Sequence, residues 1–293
     1  MDAHLRDLRY FATVADELSF TRAAERLYVS QPALSKQIRR LETDLRVPLF
    51  ERDGRGVRLT AAGAALLPAA RNLLRDWAEA QRVVSDAAAA AASVLTVGVS
   101  TSVGRGLFQR ARDLFAERRP GWRLAIRQID WDDPSAGLAG GDTDVSLVWL
   151  PIPDRRRYGV RVVATEPRWV AFRDDHRLAG RDRVDFAELL GEPLLALPED
   201  SGPLREYWLG EPDRAGAPVR IGAVVANADE TFAAIEDGSG IVLLAEGNAA
   251  IYHRPGIRAV PVDGLSPAEL AVIWNRADHR PAVRDFVDAV TPP

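Results

Sequence analysis

The fold of this chain is decided by the stretch from Ser19 to Thr60, which reads SFTRAAERLYVSQPALSKQIRRLETDLRVPLFERDGRGVRLT. Two short segments have helical apolar spacing and a hydroxyl that can cap a helix, from Ser19 or Thr21 in the first and from Ser30 in the second. Pro32 suits an early helical turn, because its missing N–H has no partner there in any case. Turn residues and arginines then follow an apolar run, which is typical of a β-hairpin. The stretch predicts a winged helix-turn-helix, a structure that docks in a DNA groove.

The helix that begins after Ser30 has two distinct faces. A rotation of about 100° per residue places its apolar residues in one stripe and its polar residues opposite them. The core stripe contains Leu34, Ile38, Leu41 and Leu45. The predicted DNA-facing residues are Ser30, Gln31, Pro32, Ser35, Lys36 and Arg39. Glutamine can pair with adenine and basic side chains can neutralise phosphates, although an ordinary solvated helix face would show the same polar pattern.

The predicted wing contributes two further candidate DNA contacts. Arg52 and Arg55 lie in the segment ERDGRGVR, where glycines mark a turn between two short strands. An arginine-tipped hairpin can follow the phosphate backbone or enter the minor groove. The alternative is a solvated loop.

Residues 1 to 68 resemble the LysR-type transcriptional regulators. The matching run comprises Ala23, Ala24, Leu27, residues 30–35, Gln37, Ile38, Leu41, Glu42, Leu45, Leu49, Phe50 and Arg52, followed by Leu59, Thr60, Ala62 and Gly63. The family usually has glycine where this chain has Arg46. Because arginine in a left-handed conformation costs about 1 kcal/mol, we expect the turn after the helix to differ locally.

The segment from residue 61 to residue 92 predicts a long linker helix. Apolar residues recur at steps of four and three, which is a heptad seam of the kind that pairs two helices. The seam contains Leu66, Ala70, Leu73, Trp77, Ala80, Val84 and Ala87, of which Leu66, Leu73, Trp77 and Val84 are the predicted dimerisation residues. A helix packed on its own domain is the alternative. The resemblance implies a homodimer that can assemble further into a homotetramer.

From residue 93 to residue 293 the pattern changes to β runs separated by helical segments, which predicts α/β layers. The resemblance extends here through short fragments such as Gly238–Ile241 and implies a fold like that of periplasmic binding proteins. The predicted class is therefore α/β multidomain, with a winged helix-turn-helix at 1–60, a linker helix at 61–92 and a two-lobed effector-binding domain at 93–293. Lobe one is expected at about 93–161 plus 267–293, and lobe two at about 162–266.

In such folds a ligand sits at the carboxyl ends of strands. Ser100, Thr101 and Ser102 follow the first strand and precede a predicted helix, so their hydroxyls and the helix N–H groups form a plausible site for an effector carboxylate. A simple helix cap is the equally favoured alternative. The same position at the end of a strand marks the other candidate effector-binding residues, Trp149, Ser201 and Asn227.

Composition excludes several classes of site. The chain has no cysteine, so thiolate metal sites and disulfides are absent, and its four histidines lack metal-ligand spacing. We expect no metal and no cofactor. The net charge of -4 hides an uneven distribution, because residues 1–60 carry eleven Lys/Arg against nine Asp/Glu. No apolar run reaches the length of a bilayer span and no leader opens the chain, so a cytoplasmic protein with no membrane partner is expected.

Two other functions compete with DNA binding. An α/β hydrolase would need a Gly-x-Ser-x-Gly turn, which is missing, and Gly238-Ser239-Gly240 precedes a strand rather than a helix. A solute-binding protein would not carry the N-terminal segment. We therefore expect a regulator and not an enzyme. The resemblance implies double-stranded DNA, further copies of the chain, a small-molecule effector and RNA polymerase as its partners.

Overall fold

The computed structural model describes residues 4–53, 56–101, 107–251 and 253–291, with the backbone alone at residues 52, 53, 56, 85, 86, 88–92 and 251. The chain divides into two compact units, Met1–Val84 and Ser85–Pro293. The predicted fold class is confirmed: a winged helix-turn-helix and a long helix precede two α/β lobes. Within the described residues, no helix combines the length and the apolar character that a membrane span requires.

The N-terminal unit begins with three helices, α1 (Leu5–Glu17), α2 (Phe20–Arg26) and α3 (Gln31–Leu45). The two predicted caps are confirmed, because Ser19 Oγ accepts a hydrogen bond from the N–H of Arg22 at 3.3 Å and Ser30 Oγ accepts one from the N–H of Ala33 at 3.4 Å. Each bond satisfies a helix N–H that has no intrahelical partner. The apolar faces meet in one core, whose most buried members include Phe11, Leu34, Ile38 and Leu41.

The turn after α3 contradicts one expectation. Arg46 adopts the left-handed conformation, with φ 57° and ψ 30°, so the turn keeps the geometry that glycine would favour. Two backbone bonds close it: the N–H of Arg46 donates to Thr43 O and the N–H of Val47 donates to Glu42 O, both at 3.1 Å. Tertiary contacts beyond the turn hold it as well, because the Glu42 carboxylate accepts the N–H groups of Leu49 and Phe50 at 2.8 and 3.2 Å.

The wing consists of the antiparallel strands β1 (Phe50–Asp53) and β2 (Gly56–Leu59), and helix α4 (Ala61–Ala92) follows it. Thr60 connects the two elements, since its hydroxyl donates to Pro48 O at 2.7 Å and accepts the N–H of Gly63 at 3.0 Å. A Cβ atom on Gly63 would lie 2.2 Å from Leu49 O, so only glycine lets the helix approach the wing this closely.

The C-terminal unit contains eleven strands and five α-helices within its described residues. The strands are β3 (Val94–Val99), β4 (Arg123–Gln128), β5 (Val145–Trp149), β6 (Tyr158–Glu166), β7 (Arg168–Arg173), β8 (Val184–Asp185), β9 (Pro193–Ala196), β10 (Arg220–Val224), β11 (Val242–Ala245), β12 (Ile257–Asp263) and β13 (Ala268–Asn275). The helices are α5 (Leu107–Arg118), α6 (Pro203–Trp208), α7 (Ala228–Glu236), α8 (Glu246–Ile251) and α9 (Pro281–Val290).

Lobe one is built on a five-stranded sheet in the order β4-β3-β5-β13-β6. The first three strands are parallel, and β13 runs antiparallel to both of its neighbours. Helices α5 and α9 cover one face, where Phe115 and Phe286 meet edge to face at 6.1 Å.

Lobe two contains a four-stranded sheet in the order β11-β7-β12-β8 and the parallel pair β10-β9. Pro167 separates the two lobes: β6 pairs with β13 as far as Glu166, and β7 joins the other sheet from Arg168. The expected lobe boundary between residues 161 and 162 is therefore wrong, because it falls inside β6. Proline has no N–H to donate, so a strand ladder can end there and the chain can change sheets.

The chain passes between the lobes twice, at Pro167 and between β12 and β13, and Arg168 contacts both passages. Its side chain is fully buried and donates to Ser266 O and Tyr207 O, each at 2.8 Å, and to the Asp213 carboxylate. Burial lowers the pKa of Arg168, and the nearby Tyr207 and Asp213 oppose that shift. Arg168 follows the first crossing and Ser266 precedes the second, so one guanidinium fixes both.

Candidate functional site

The outer face of α3 is exposed and basic. Gln31, Pro32, Lys36, Arg39 and Arg40 are all exposed, whereas the opposite stripe is buried. Among the described residues, no acidic side chain pairs with Lys36 or Arg39. These cations therefore keep their charge available for phosphates.

Other arginines of the same unit are neutralised within the fold. Arg22 and Arg26 of α2 both pair with Glu17, at 3.3 and 3.1 Å, and Arg58 of the wing lies 3.8 Å from Glu51. Of the basic residues on α2 and α3, those of α3 are therefore the ones without an acidic partner in the described structure. The sequence alone did not reveal this pairing.

Two of the predicted DNA-facing residues of α3 have structural roles. Ser30 is exposed and caps the helix. The expectation that Ser35 lies on the open face is wrong, because its side chain is only 4% exposed. By helix geometry Ser35 lies about 90° from the centre of the apolar stripe, at the edge of the face that packs against the rest of the unit.

The wing arginines are only partly described. Arg52 lies in β1, where its backbone pairs with Val57, while its side chain is outside the described residues. Arg55 lies outside them entirely. What the structure does show is the base of the wing, which Glu42 of α3 holds through the two N–H groups that it accepts. The base of the wing is therefore anchored to α3.

The predicted seam of α4 divides into two parts. Leu66 and Ala70 pack against the core of the N-terminal unit, so for these residues the alternative of a helix packed on its own domain is correct. Leu73, Trp77 and Val84 continue the same stripe but are 51%, 51% and 71% exposed. The stripe continues beyond the part of α4 that packs on the N-terminal core. Its later apolar side chains therefore form an exposed ridge.

A cavity of about 110 Å³ opens between the two lobes and extends into lobe two. Lobe one contributes Ser100, Thr101 and Trp149 to its wall, and lobe two supplies most of the remainder. Four aromatic side chains line it: Trp131, Trp149, Trp208 and Phe232. Trp149 and Trp208 come from different lobes and meet edge to face at 5.9 Å. The cavity is therefore mainly apolar.

The predicted hydroxyl cluster lies at the wall of this cavity. Thr101 Oγ1 accepts the indole N–H of Trp149 at 3.3 Å, and Ser100 O accepts the indole N–H of Trp131 at 2.7 Å. The structure therefore brings Ser100, Thr101 and Trp149 together as expected. Ser102 lies outside the described residues, and the described part of the next helix begins at Leu107.

The other two effector candidates do not line the cavity. Ser201 is fully buried and its hydroxyl donates to Trp131 O at 2.6 Å, so it supports the aromatic wall from behind. Asn227 caps α7 by accepting the N–H of Glu230 at 3.0 Å. Both residues follow strands, but Ser201 is bonded to the backbone of a distant segment and Asn227 to the helix that it precedes.

Residues that sequence reasoning missed include Trp131, Trp208 and Asn248. Asn248 of α8 is 6% exposed and lines the cavity, and its Oδ1 atom accepts no hydrogen bond within the described structure. Trp131 connects the lobes, because its backbone N–H donates to Ala226 O at 2.8 Å. The tryptophans are a detectable signal in a chain with only seven of them. Asn248 has no comparable sequence signal, since its importance comes from burial.

Two family models match the chain. The model described as a bacterial regulatory helix-turn-helix protein of the lysR family matches residues 5–64, and the model described as a LysR substrate binding domain matches residues 88–292. The Hca operon transcriptional activator HcaR of Escherichia coli (strain K12) is 31% identical over 98% of this chain and 96% of its own length. A hydrogen peroxide-inducible genes activator of Dickeya chrysanthemi is 32% identical over 82% of this chain and 78% of its own length.

A solved structure shares the whole architecture. Full-length CbnR, crystallised with its target DNA, is 27% identical and covers 98% of both chains, with a TM-score of 0.53. The helix-turn-helix and the substrate binding domain thus match family models in the N-terminal and the C-terminal part of the chain. The chain belongs to the LysR-type transcriptional regulators, which bind DNA through the helix-turn-helix and carry an effector-binding domain.

Proposed function

We propose that two copies of this chain bind double-stranded DNA through α3 and the wing, under the control of a small molecule bound between the lobes. The observation that carries the proposal is the exposed face of α3, where basic side chains have no acidic partner in the described structure. Ser30 caps the helix and Glu42 fixes the wing beside it. Both elements would therefore reach the duplex as one rigid surface.

The proposed contacts have different tasks. Gln31 and Pro32 lie at the N-terminal end of α3, the end that meets base edges in helix-turn-helix complexes. Lys36 and Arg39 lie further along and would neutralise phosphates, and Arg52 and Arg55 would extend these contacts from the wing. Specificity would then reside in the first turn of α3 and most of the affinity in the arginines and the lysine.

The exposed apolar stripe of α4 supports the binding of DNA by two copies of the chain. Leu73, Trp77 and Val84 form an exposed apolar stripe with the spacing of a coiled-coil seam. A dimer would double the phosphate contacts, which the small charge of one N-terminal segment requires. Dimers of dimers would extend this to the tetramer that the family implies.

The effector would act by binding and not through oxidation of a thiol. The relative named as a hydrogen peroxide-inducible activator raises the alternative that peroxide is the signal. In proteins the cysteine thiolate is the group that starts the peroxide oxidation ladder, and this chain contains no cysteine. A ligand that favours one arrangement of the lobes would shift the DNA-bound state by its differential affinity.

RNA polymerase is the further partner that we propose, and the cytoplasm is the proposed location. A regulator of transcription acts where the chromosome and the polymerase are. The relatives are transcription regulators by name, which favours regulation over catalysis for this chain as well.

Selection from a random duplex library, followed by fluorescence anisotropy with the selected sequence, tests the DNA-binding surface. We expect Arg39→Ala to weaken binding by about tenfold and to reduce the slope of log affinity against log salt by about one per copy. Gln31→Ala should instead relax base preference and leave the salt slope unchanged.

Arg156→Ala is the matched control, because Arg156 is an exposed arginine in the turn Arg155–Arg157 of the other unit. It changes the net charge by the same amount. Equal losses for Arg39→Ala and Arg156→Ala would show that only overall charge matters and would reject α3 as the recognition surface.

A further inference from the structure

The part of the cavity that lies inside lobe two has a simple structural origin. Ala171 of β7 and Ala259 of β12 are directly paired on the central strands of the sheet, and both line the cavity. Val242 of β11 is paired with Ala171 from the other side. Because two alanines occupy adjacent positions on one face, the sheet leaves space beneath α7 that larger residues would fill.

The wall of this space is mainly apolar. Phe232 of α7, Leu244 of β11 and Ile257 of β12 line it. Its uncharged polar lining residues in lobe two are Thr231 of α7, whose hydroxyl donates to Asn227 O at 2.8 Å, and Asn248 of α8. Oδ1 of Asn248 is buried and accepts no hydrogen bond within the described residues. A buried acceptor without a donor costs free energy, which a bound ligand can recover.

Charged groups lie only at the edge of the cavity. His253 is exposed, and Arg254 is half-buried with its guanidinium over the Phe232 ring at 4.4 Å. Arg254 also pairs with Asp229 at 2.6 Å. No other lining residue is titratable, so a carboxylate placed deep in lobe two would have no cation beside it.

We propose that the effector is an uncharged, ring-containing molecule that carries a hydrogen-bond donor, and that the ring lies over Ala171 and Ala259 with its donor on Asn248 Oδ1. The inference rests on the proposed effector site and replaces the carboxylate that the hydroxyl cluster suggested. Aromatic walls and a small number of placed polar groups are the usual means by which a protein selects such a ligand.

Isothermal titration of the full chain with phenol, toluene and benzoate tests the ligand class. The three probes share one ring and differ in having a neutral donor, no polar group and a carboxylate. We expect phenol to bind about tenfold more tightly than toluene, the difference that one hydrogen bond makes, and benzoate to bind most weakly. Toluene equal to phenol would overturn the donor assignment, and benzoate tighter than phenol would overturn the uncharged class.

Three variants place the ligand. Asn248→Leu should remove the preference for phenol over toluene, while Ala259→Leu should weaken both by tenfold or more because it fills the space. Ala187→Leu makes the same change at an exposed position of lobe two and should alter neither affinity. Unchanged phenol binding in Ala259→Leu would overturn the location. The comparison of probes on the natural chain remains decisive if a variant does not fold.

DNA binding is measured on the same preparation, so that the two proposals fail separately. A chain that binds its selected duplex but none of the three probes would overturn this inference and leave the DNA-binding surface intact. A chain that binds phenol with the expected preference but no duplex would support the ligand class and reject the proposed regulator.

Discussion

Two single residues occupy positions that are unusual for their type, one strained and one buried. Arg46 sits in a left-handed turn that glycine normally occupies, and Arg168 is a fully buried cation at the junction of two lobes. Neither lies on a proposed ligand surface. Both therefore affect stability more directly than binding.

Replacement of Arg46 by glycine should stabilise the protein. We expect Arg46→Gly to raise the free energy of unfolding by up to about 1 kcal/mol, because it removes the cost of a left-handed conformation. Arg40→Gly is the matched control, since Arg40 is an exposed arginine inside α3 and its loss should destabilise by about 1 kcal/mol. Urea denaturation followed by circular dichroism measures both. Shifts of the same sign would contradict the role of the turn.

Loss of the Arg168 guanidinium should destabilise the C-terminal unit strongly. Arg168→Met leaves Asp213 and two backbone carbonyls without their buried donor, for an expected loss of about 3–5 kcal/mol. Arg156→Met, at an exposed position, should cost less than about 0.5 kcal/mol. The same denaturation experiment decides, and similar losses in the two variants would mean that Arg168 does not hold the junction.

Secondary-structure elements pack against one another through close backbone contacts as well as through apolar side chains. Helix α4 begins at Thr60, which caps it, and Gly63 lets it contact the backbone of the wing. Gly63→Ala should lower the thermal midpoint of the N-terminal unit by several degrees, because overpacking costs about 1–3 kcal/mol. Gly191→Ala is the control, since a Cβ atom there meets nothing within 4 Å. Calorimetry of both variants gives the test.

The exposed stripe of α4 should control assembly. Leu73→Glu combined with Trp77→Glu places two charges on the proposed seam, so we expect a monomer where the natural chain is a dimer or tetramer. Light scattering at micromolar protein measures this. Asn72→Glu adds a charge about 120° away from the stripe by helix geometry and should leave the assembly unchanged. A double variant that keeps its natural mass would exclude this face.

At the scale of the whole molecule, an acidic protein would bind DNA through a small basic surface. The chain carries a net charge of -4, while its first 60 residues have two more basic than acidic groups. The distribution of charge, and its repetition in the proposed assembly, would therefore matter more than the total. Effector control would use the same assembly. A ligand that changes the arrangement of the lobes would act on the duplex by changing the relative placement of the two helix-turn-helix domains in the dimer.

The monomeric variant should lose more affinity for DNA than the loss of one copy's phosphate contacts alone would cause. We expect Leu73→Glu with Trp77→Glu to bind its duplex at least about a hundredfold more weakly and with about half the natural salt slope. Anisotropy at several salt concentrations measures both quantities. A slope equal to that of the natural chain would show that one copy already makes every phosphate contact.

Local pattern was sufficient for much of the fold. The helices of the N-terminal unit and their serine caps follow from apolar spacing and from side chains within a few residues, so the sequence predicted them. The alternation of strands and helices similarly predicted two α/β lobes. Even the crossing at Pro167 has a local signal, although residues 162–172 have the composition of one continuous β run on both sides of it.

The sequence by itself determined the elements, the family and the basic character of α3, because these depend on the order of residues along one helix or strand. Only the tertiary structure decided which side chains are covered. It buried Ser35, used the first part of the α4 stripe for the domain core, and turned Ser201 toward the backbone of Trp131. It also made a cavity from two alanines and left Asn248 facing it. Such features arise where distant segments meet, and no spacing within one segment encodes them.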